Sequence, residues 1–335
     1  MKRAFLALSL TLSLVFISGC TRDNLFARTI DSPASVPKEV PVFYGLPLKS
    51  GQIVVTESPD NTSWMFLLIP DKYYPFTHGG VIAIEDGKPY VYDTSGAVKF
   101  LPLDSRVLDN VSGKARRTPF YDYVSPNLYA EVYDLPAGVD ASKVVSFVRK
   151  QYENGTEFDA FFNFDDHSKL FCTEMIELAL RAGGDKPREL EQSNPNPSIV
   201  EGMKWLAVKP GVAALPAARF IEPSRYVGAM GRFNNRAAAY AYFEAKREVF
   251  RRFTMNQRLG YLFSLNGNGT FELRPHLALY ADRALHLFEN DENPPPIGDP
   301  RIAQAVRELA DEMFGPFLPE PTKELPAVAK PTAAK

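Results

Sequence analysis

The spacing of apolar residues changes several times along the chain, and each change marks an element. Ala4 to Ile17 is an apolar run of fourteen behind Lys2 and Arg3, too short for a comfortable membrane span and typical of an export signal. Thr21 to about Leu46 is polar and carries Pro33, Pro37 and Pro41, which predicts a tether. From Gly51 the texture turns to strand. Gln52-Ile-Val-Val-Thr56 is β-branched, Gly80 to Ile84 and Pro89 to Asp93 are short apolar runs, and Leu128 to Leu135 alternates. Glu85-Asp86-Gly87-Lys88 joins the middle two, and Asp-Gly is a hairpin signal. Asn61 to Ile69 is apolar and reads equally as helix or strand.

Helical spacing follows over Ala141 to Glu153. Val144, Phe147, Val148 and Tyr152 share a face, Asp140 or Ser142 is the N-cap, and Asn154-Gly155 is the stop. A second helix is predicted from near Cys172 to Gly183-Gly184, with Met175, Ile176, Ala179 and Leu180 as its buried stripe and a glycine for the left-handed C-cap. Beyond Tyr226 the pattern is mostly helical: a long segment from Asn235 to Thr254, a hairpin around Asn266-Gly-Asn-Gly269, a loop at Pro294 to Pro296, and a last helix capped by Asp299 and stopped by Gly315. Ile302, Val306, Leu309 and Met313 lie on one face of that helix. The final twenty residues hold five prolines and are expected to be disordered. The whole reads as an α+β chain without internal repeats.

Composition narrows the function. The chain has 335 residues, 45% apolar and 23% charged, with a net charge of −2, which is ordinary for a globular protein and gives no footing for nucleic-acid binding. Two cysteines make no disulfide framework, and four histidines argue against a rich metal cluster. Ile17-Ser18-Gly19-Cys20 resembles the lipobox of bacterial lipoproteins. That resemblance implies cleavage before Cys20, a lipid on its thiol, and attachment in the cell envelope. Thr21 in place of an aspartate favours the outer membrane, facing the periplasm. Cys172 is then the free thiol that remains.

Phe171-Cys172-Thr173-Glu174 opens the second predicted helix. A thiol there meets the positive end of the helix dipole and unpaired amides, both of which favour the nucleophilic thiolate. A base must take and return its proton. His78 stands at the mouth of a strand with glycines after it, and Asp93, fifteen residues on, ends the next strand of the Asp-Gly hairpin. Adjacent hairpin ends lie side by side, so Asp93 is placed to orient the imidazole.

At these residues the chain resembles a known family. Gly51-Gln-Ile-Val-Val, Thr77-His78-Gly-Gly-Val-Ile, Tyr90-Val-Tyr-Asp93, Gly155-Thr-Glu-Phe158-Asp159 and Phe171-Cys172-Thr-Glu174 occur in the order of the circularly permuted, papain-like branch of the NlpC-type cysteine hydrolases, the YaeF/YiiX family. Permutation puts His78 ahead of Cys172, here by 94 residues. The resemblance implies Cys172 as nucleophile, His78 as base and Asp93 as orienter, on a core with an antiparallel sheet and a nucleophile helix. It implies a thiol peptidase or amidase that needs no cofactor or metal. Glu222-Pro223-Ser224-Arg225 resembles a segment that closes the family's core. Gln52, Phe158 and Thr173 depart from the pattern, and no role is assigned to Gln52.

The expected organisation is a signal peptide over 1–19, a tether over 20–46, the hydrolase domain over 47–228, a mostly helical appendage over 229–315 and a tail over 316–335. Substrates left open are cell-wall peptides and acyl lipids, the latter for a hydrolase or acyltransferase with the same residues; a non-catalytic peptide-binding lipoprotein is the third reading. Glu85 or Glu174 is an alternative to Asp93, although Glu174 reads better as a charge complementing the helix dipole. His167, beside Asp165 and Asp166, reads as part of a polar loop, with a rival base or a ligand shared with Asp159 as alternatives. His276 and His286 read as structural. Tyr240, Phe243 and Phe250 with Lys246, Arg247, Arg251 and Arg252 make a basic aromatic helix, read as amphipathic with snorkelling side chains, or as membrane-facing.

Overall fold

The computed structural model describes residues 27–36, 38–59, 63–64, 67, 72–98, 111–160, 162–192, 213–254, 262–265 and 271–317. The expected signal peptide over 1–19, Cys20, most of the Asn61 to Ile69 run, the expected turn at Asn266 to Gly269 and residues 318–335 lie outside them. In chain order the strands and helices are β1 (Arg28–Asp31), β2 (Val42–Phe43), β3 (Leu46–Pro47), β4 (Ile53–Glu57), β5 (His78–Glu85), β6 (Lys88–Val98), β7 (Val111–Pro119), α1 (Phe120–Val124), β8 (Tyr129–Tyr133), α2 (Ala141–Glu153), β9 (Glu157–Phe158), β10 (Lys169–Leu170), α3 (Cys172–Ala182), β11 (Glu191–Gln192), β12 (Ala213–Ala214), β13 (Tyr226–Gly231), α4 (Arg236–Val249), β14 (Phe263–Leu265), β15 (Phe271–Leu273), α5 (Pro275–His286) and α6 (Pro300–Phe314).

A nine-stranded sheet in the order β1-β13-β8-β4-β5-β6-β7-β9-β10 organises the fold. It is mixed: β9 and β10 pair in parallel, the other neighbours antiparallel. The chain is α+β, with six α-helices among the described residues. The central strands are buried on both faces, as their near-continuous apolar runs require. Ile53, Val55, Val81, Ala83 and Tyr92 point to one core, where α2, α3 and α4 pack. Val54, Ile82, Val91 and Val132 point to the other, closed by Phe120, Tyr123 and Val124 of α1.

The β5–β6 hairpin turns at Asp86 and Gly87, both at positive φ (49° and 72°), the pair of left-handed residues that suits a two-residue hairpin. Helix α2 is capped by Asp140, whose side chain accepts from the Ser142 and Lys143 amides. Helix α3 ends before Gly183, and Gly184 takes the left-handed conformation.

Several expectations need correction. Arg28–Asp31 belongs to the sheet rather than to a free tether. Its backbone pairs with β13, and Asp31 accepts from Tyr226 and Arg236. The helices after β13 are not a separate appendage: Phe243, Ala245 and Val249 of α4 and Tyr280 of α5 share one core with Ile53 and Met175. The basic aromatic helix is no exposed membrane face. Lys246 is buried against Glu57 of β4, and Arg252 is buried against Glu248 and Asp311. Strand β7 carries no apolar alternation and was not expected. Asp93 sits within β6, which runs on to Val98, rather than at a strand end. Gln52 has a structural role: it accepts from the Lys49 amide and donates to Pro47 O and Asp134.

Candidate functional site

Strand β5 begins at His78. Two residues earlier Phe76 adopts φ 63°, an uncommon conformation for an aromatic residue. Its ring is held there by Tyr129 and by Phe243 of α4, at centroid distances of 6.1 and 4.8 Å. Along β5 the side chains alternate. Gly79 faces α3, where a Cβ would meet Ile176 Cδ1 at 3.0 Å. His78 and Gly80 face the opposite way, and Gly80 pairs with Val54 of β4. A Cβ on Gly80 would meet Val91 Cγ1 at 2.6 Å and Asp93 Cβ at 3.3 Å, so the missing side chain opens the room in which His78 leans toward Asp93.

His78 Nε2–H donates to Asp93 Oδ2 at 2.7 Å. Asp93 is fully buried, while the imidazole is 24% exposed. With Nε2 engaged by Asp93, Nδ1 is left for another partner, and Cys172 is near enough for its charge to act on the ring. The structure thus joins His78 to Asp93 directly and leaves Cys172 in their neighbourhood. Burial pulls the imidazole toward neutrality. The negative charge of Cys172 and the hydrogen bonds to Asp93 and Cys172 overcome that and raise its pKa to about 10. Burial alone would raise the Asp93 carboxyl; His78 and Arg116 outweigh it and hold the group below the usual carboxylate value.

Cys172 is the first residue of α3, and Phe171 before it has extended backbone (φ −92°, ψ 164°). The thiol is buried, and the Cys172 N–H belongs to the first turn, where amides lack intrahelical partners. Glu174, two residues on, accepts from the Phe171 amide at 3.2 Å and tightens the helix start. Its other oxygen accepts from His167 Nδ1–H at 2.6 Å. Burial pushes the Glu174 carboxyl up to about 7, against the pull of His167 and the Phe171 amide. His167 is therefore the partner of Glu174. Glu85 is taken by Tyr92, Arg117 and Arg149, which leaves Asp93 as the acid on His78. His286 pairs with Glu289, and His276 lies against Phe314.

Two side chains at the site carry no sequence signal. Arg116 of β7 lies beside Asp93 in register. It donates through Nε to Oδ1 at 3.2 Å and through Nη2 to Oδ2. Tyr123 of α1 places its ring 6.0 Å from the His78 ring, tilted by 32°. Only the Arg116-Arg117 doublet stands out locally, and nothing in it points to Asp93. Among the described residues no three His, Cys, Asp or Glu side chains converge as a metal site, and none of the helices there is long and apolar enough to cross a membrane.

No family model and no curated protein matches the chain. Among solved structures it is similar to the metalloprotein yiiX from Escherichia coli O157:H7, DUF1105, at 17% identity and a TM-score of 0.39, over 52% of this chain and 93% of that one.

Proposed function

We propose that this chain is a cysteine hydrolase of the permuted papain-like kind, cleaving an amide or ester bond. The observation that carries the reading is His78 held by the buried carboxylate of Asp93, with the thiol at the start of α3 near enough to act on its charge. In the reaction, Cys172 Sγ attacks the substrate carbonyl carbon as thiolate. The Cys172 amide donates to the carbonyl oxygen, His78 passes its proton to the leaving nitrogen or oxygen, and water then attacks the thioester with His78 as base. Asp93 keeps Nε2 protonated and fixes the ring plane, so Nδ1 stays on the thiol. On the Cys20 motif alone, the same reading has the chain exported and lipid-anchored in the envelope.

The rate of Cys172 alkylation against pH, in protein lacking residues 1–20, tests the pair directly. The expected profile shows fast alkylation persisting well below pH 8 and lost in His78→Ala, with turnover abolished and the fold intact in Cys172→Ala. A slow thiol that rises only in alkali and is indifferent to His78 sinks the hydrolase reading.

A further inference from the structure

Asp93 is held by more than the reaction asks of it. One hydrogen bond, from His78 Nε2–H to Oδ2, is enough to hold an imidazole in one tautomer. Arg116 adds two more, through Nε to Oδ1 at 3.2 Å and through Nη2 to Oδ2. No other group among the described residues donates to Oδ1. Asp93 and Arg116 stand directly opposite each other on β6 and β7, in the middle of a ladder that runs from Tyr90–Pro119 to Val98–Val111.

The extra contact solves a mechanical problem. The last torsion of an aspartate is broad, so its rotamer does not fix the plane of the carboxylate. A hydrogen bond to a carboxylate oxygen follows the lone pairs and therefore that plane. His78 touches one oxygen only and leaves the plane free to swing. A planar guanidinium that takes both oxygens removes the swing. A buried carboxylate that needed only a counter-charge would be served by a lysine, whose ammonium is a point charge and sets no plane. Arg116 is in turn fixed by the β7 backbone. Orientation passes from the ladder to the guanidinium, from there to the carboxylate plane, and last to the imidazole ring.

We propose that Arg116 is a positioning residue of the hydrolase: by its fork rather than its charge it fixes the plane of the Asp93 carboxylate, and through it the His78 ring. This rests on the hydrolase reading. Arg116 acts through Asp93 and takes no proton. Its side chain is 47% exposed while Asp93 is fully buried, so a change at position 116 reaches the carboxylate without opening the core.

The test keeps the charge and removes the fork. Arg116→Lys is made in the full-length chain, and two reactions are read with the Cys172→Ala background subtracted. One is the burst of p-nitrophenolate from p-nitrophenyl acetate. It is expected to slow about 10-fold, the lower end of the loss when a group that orients a functional side chain is removed. The other is alkylation by iodoacetamide. The pH at which it becomes fast is expected to rise, a change that a merely structural contact would not produce. Urea unfolding checks that the variant is folded under the assay conditions. A wild-type burst and a wild-type alkylation profile in folded Arg116→Lys overturn the assignment, because charge then suffices. A wild-type chain with no Cys172-dependent burst overturns the hydrolase reading itself, and this assignment with it. Should Arg116→Lys fail to fold, Arg116→Ala leaves a gap that a small cation can enter from solvent. Guanidinium chloride at low, non-denaturing concentration is expected to restore part of the burst, and ammonium chloride none. Restoration by both ions, or by neither, overturns the assignment.

Discussion

Asp93 serves two cations at once. His78 reaches it from one neighbouring strand and Arg116 from the other, and both are needed to make a fully buried carboxylate tolerable. The linkage to pH has two parts with opposite signs. His78 is raised to about 10, so the stability its charge contributes is complete below its ordinary value near 6.5 and is lost as pH rises through about 10. Asp93 is lowered, so its contribution is present above the ordinary carboxylate value and is lost as pH falls through the lowered one. The two overlap between about pH 4 and 6.5. Thermal unfolding from pH 6.5 to 10 is expected to show wild type losing more stability than His78→Ala, and parallel curves would remove the His78 assignment. The places of Cys172 at a helix start and of His78 beside Asp93 were legible in the sequence, because an apolar stripe marks the helix and an Asp-Gly turn sets the two strands side by side. Arg116 and Tyr123 were not, because no local pattern says that the charged segment 111–119 runs beside Asp93.

At the scale of elements, what the sequence shows depends on how an element is held. The β5–β6 hairpin, α2 and α3 announce themselves through a turn signal, a cap or an apolar stripe; α2 and α3 appear with close to the expected limits, and the hairpin turns where expected although β6 runs on to Val98. Strand β7 does not. It is Val-Ser-Gly-Lys-Ala-Arg-Arg-Thr-Pro, with Ala115 buried, and it is fixed by a continuous backbone ladder to β6 from Tyr90–Pro119 to Val98–Val111. A strand bound by its backbone leaves no trace in the apolar pattern. The hairpin also sets the spacing of the site. Gly80→Ala would drive a methyl against the backbone oxygen of Tyr92 at 2.8 Å as well as Val91. The expected cost is about 1–3 kcal/mol by urea unfolding, with Cys172 alkylation at pH 6 falling as Asp93 is pushed from His78. A stable variant with wild-type alkylation would show that the gap at Gly80 plays no part.

For the molecule as a whole, the unexpected result is that the C-terminal helices complete the core of the sheet. The apolar faces of α4 and α6 were legible; what they pack against was not, since an amphipathic stripe says only that it is covered. The link is concrete. Lys246 of α4 is buried against Glu57 of β4, with Ser63 donating to the same carboxylate at 2.6 Å, and Phe243 braces the turn that leads into His78. Lys246→Met leaves the buried Glu57 carboxyl without its cation, and is expected to cost about 3–5 kcal/mol. Pairing it with Glu57→Gln should recover a large part of that. A double-mutant cycle by urea unfolding measures the coupling, and additive losses would show that the two side chains do not depend on each other.

The strand β1 also has a bearing on reach. With Arg28–Asp31 fastened to the edge of the sheet, only six residues separate Cys20 from Ala27, a span of at most about 24 Å when fully drawn out. His78 lies four strand spacings from that edge, about 19 Å away. If Cys20 bears a lipid, the leash is short: the body of the protein rides against the bilayer, and its working range is a thin shell of the envelope next to the membrane that holds it.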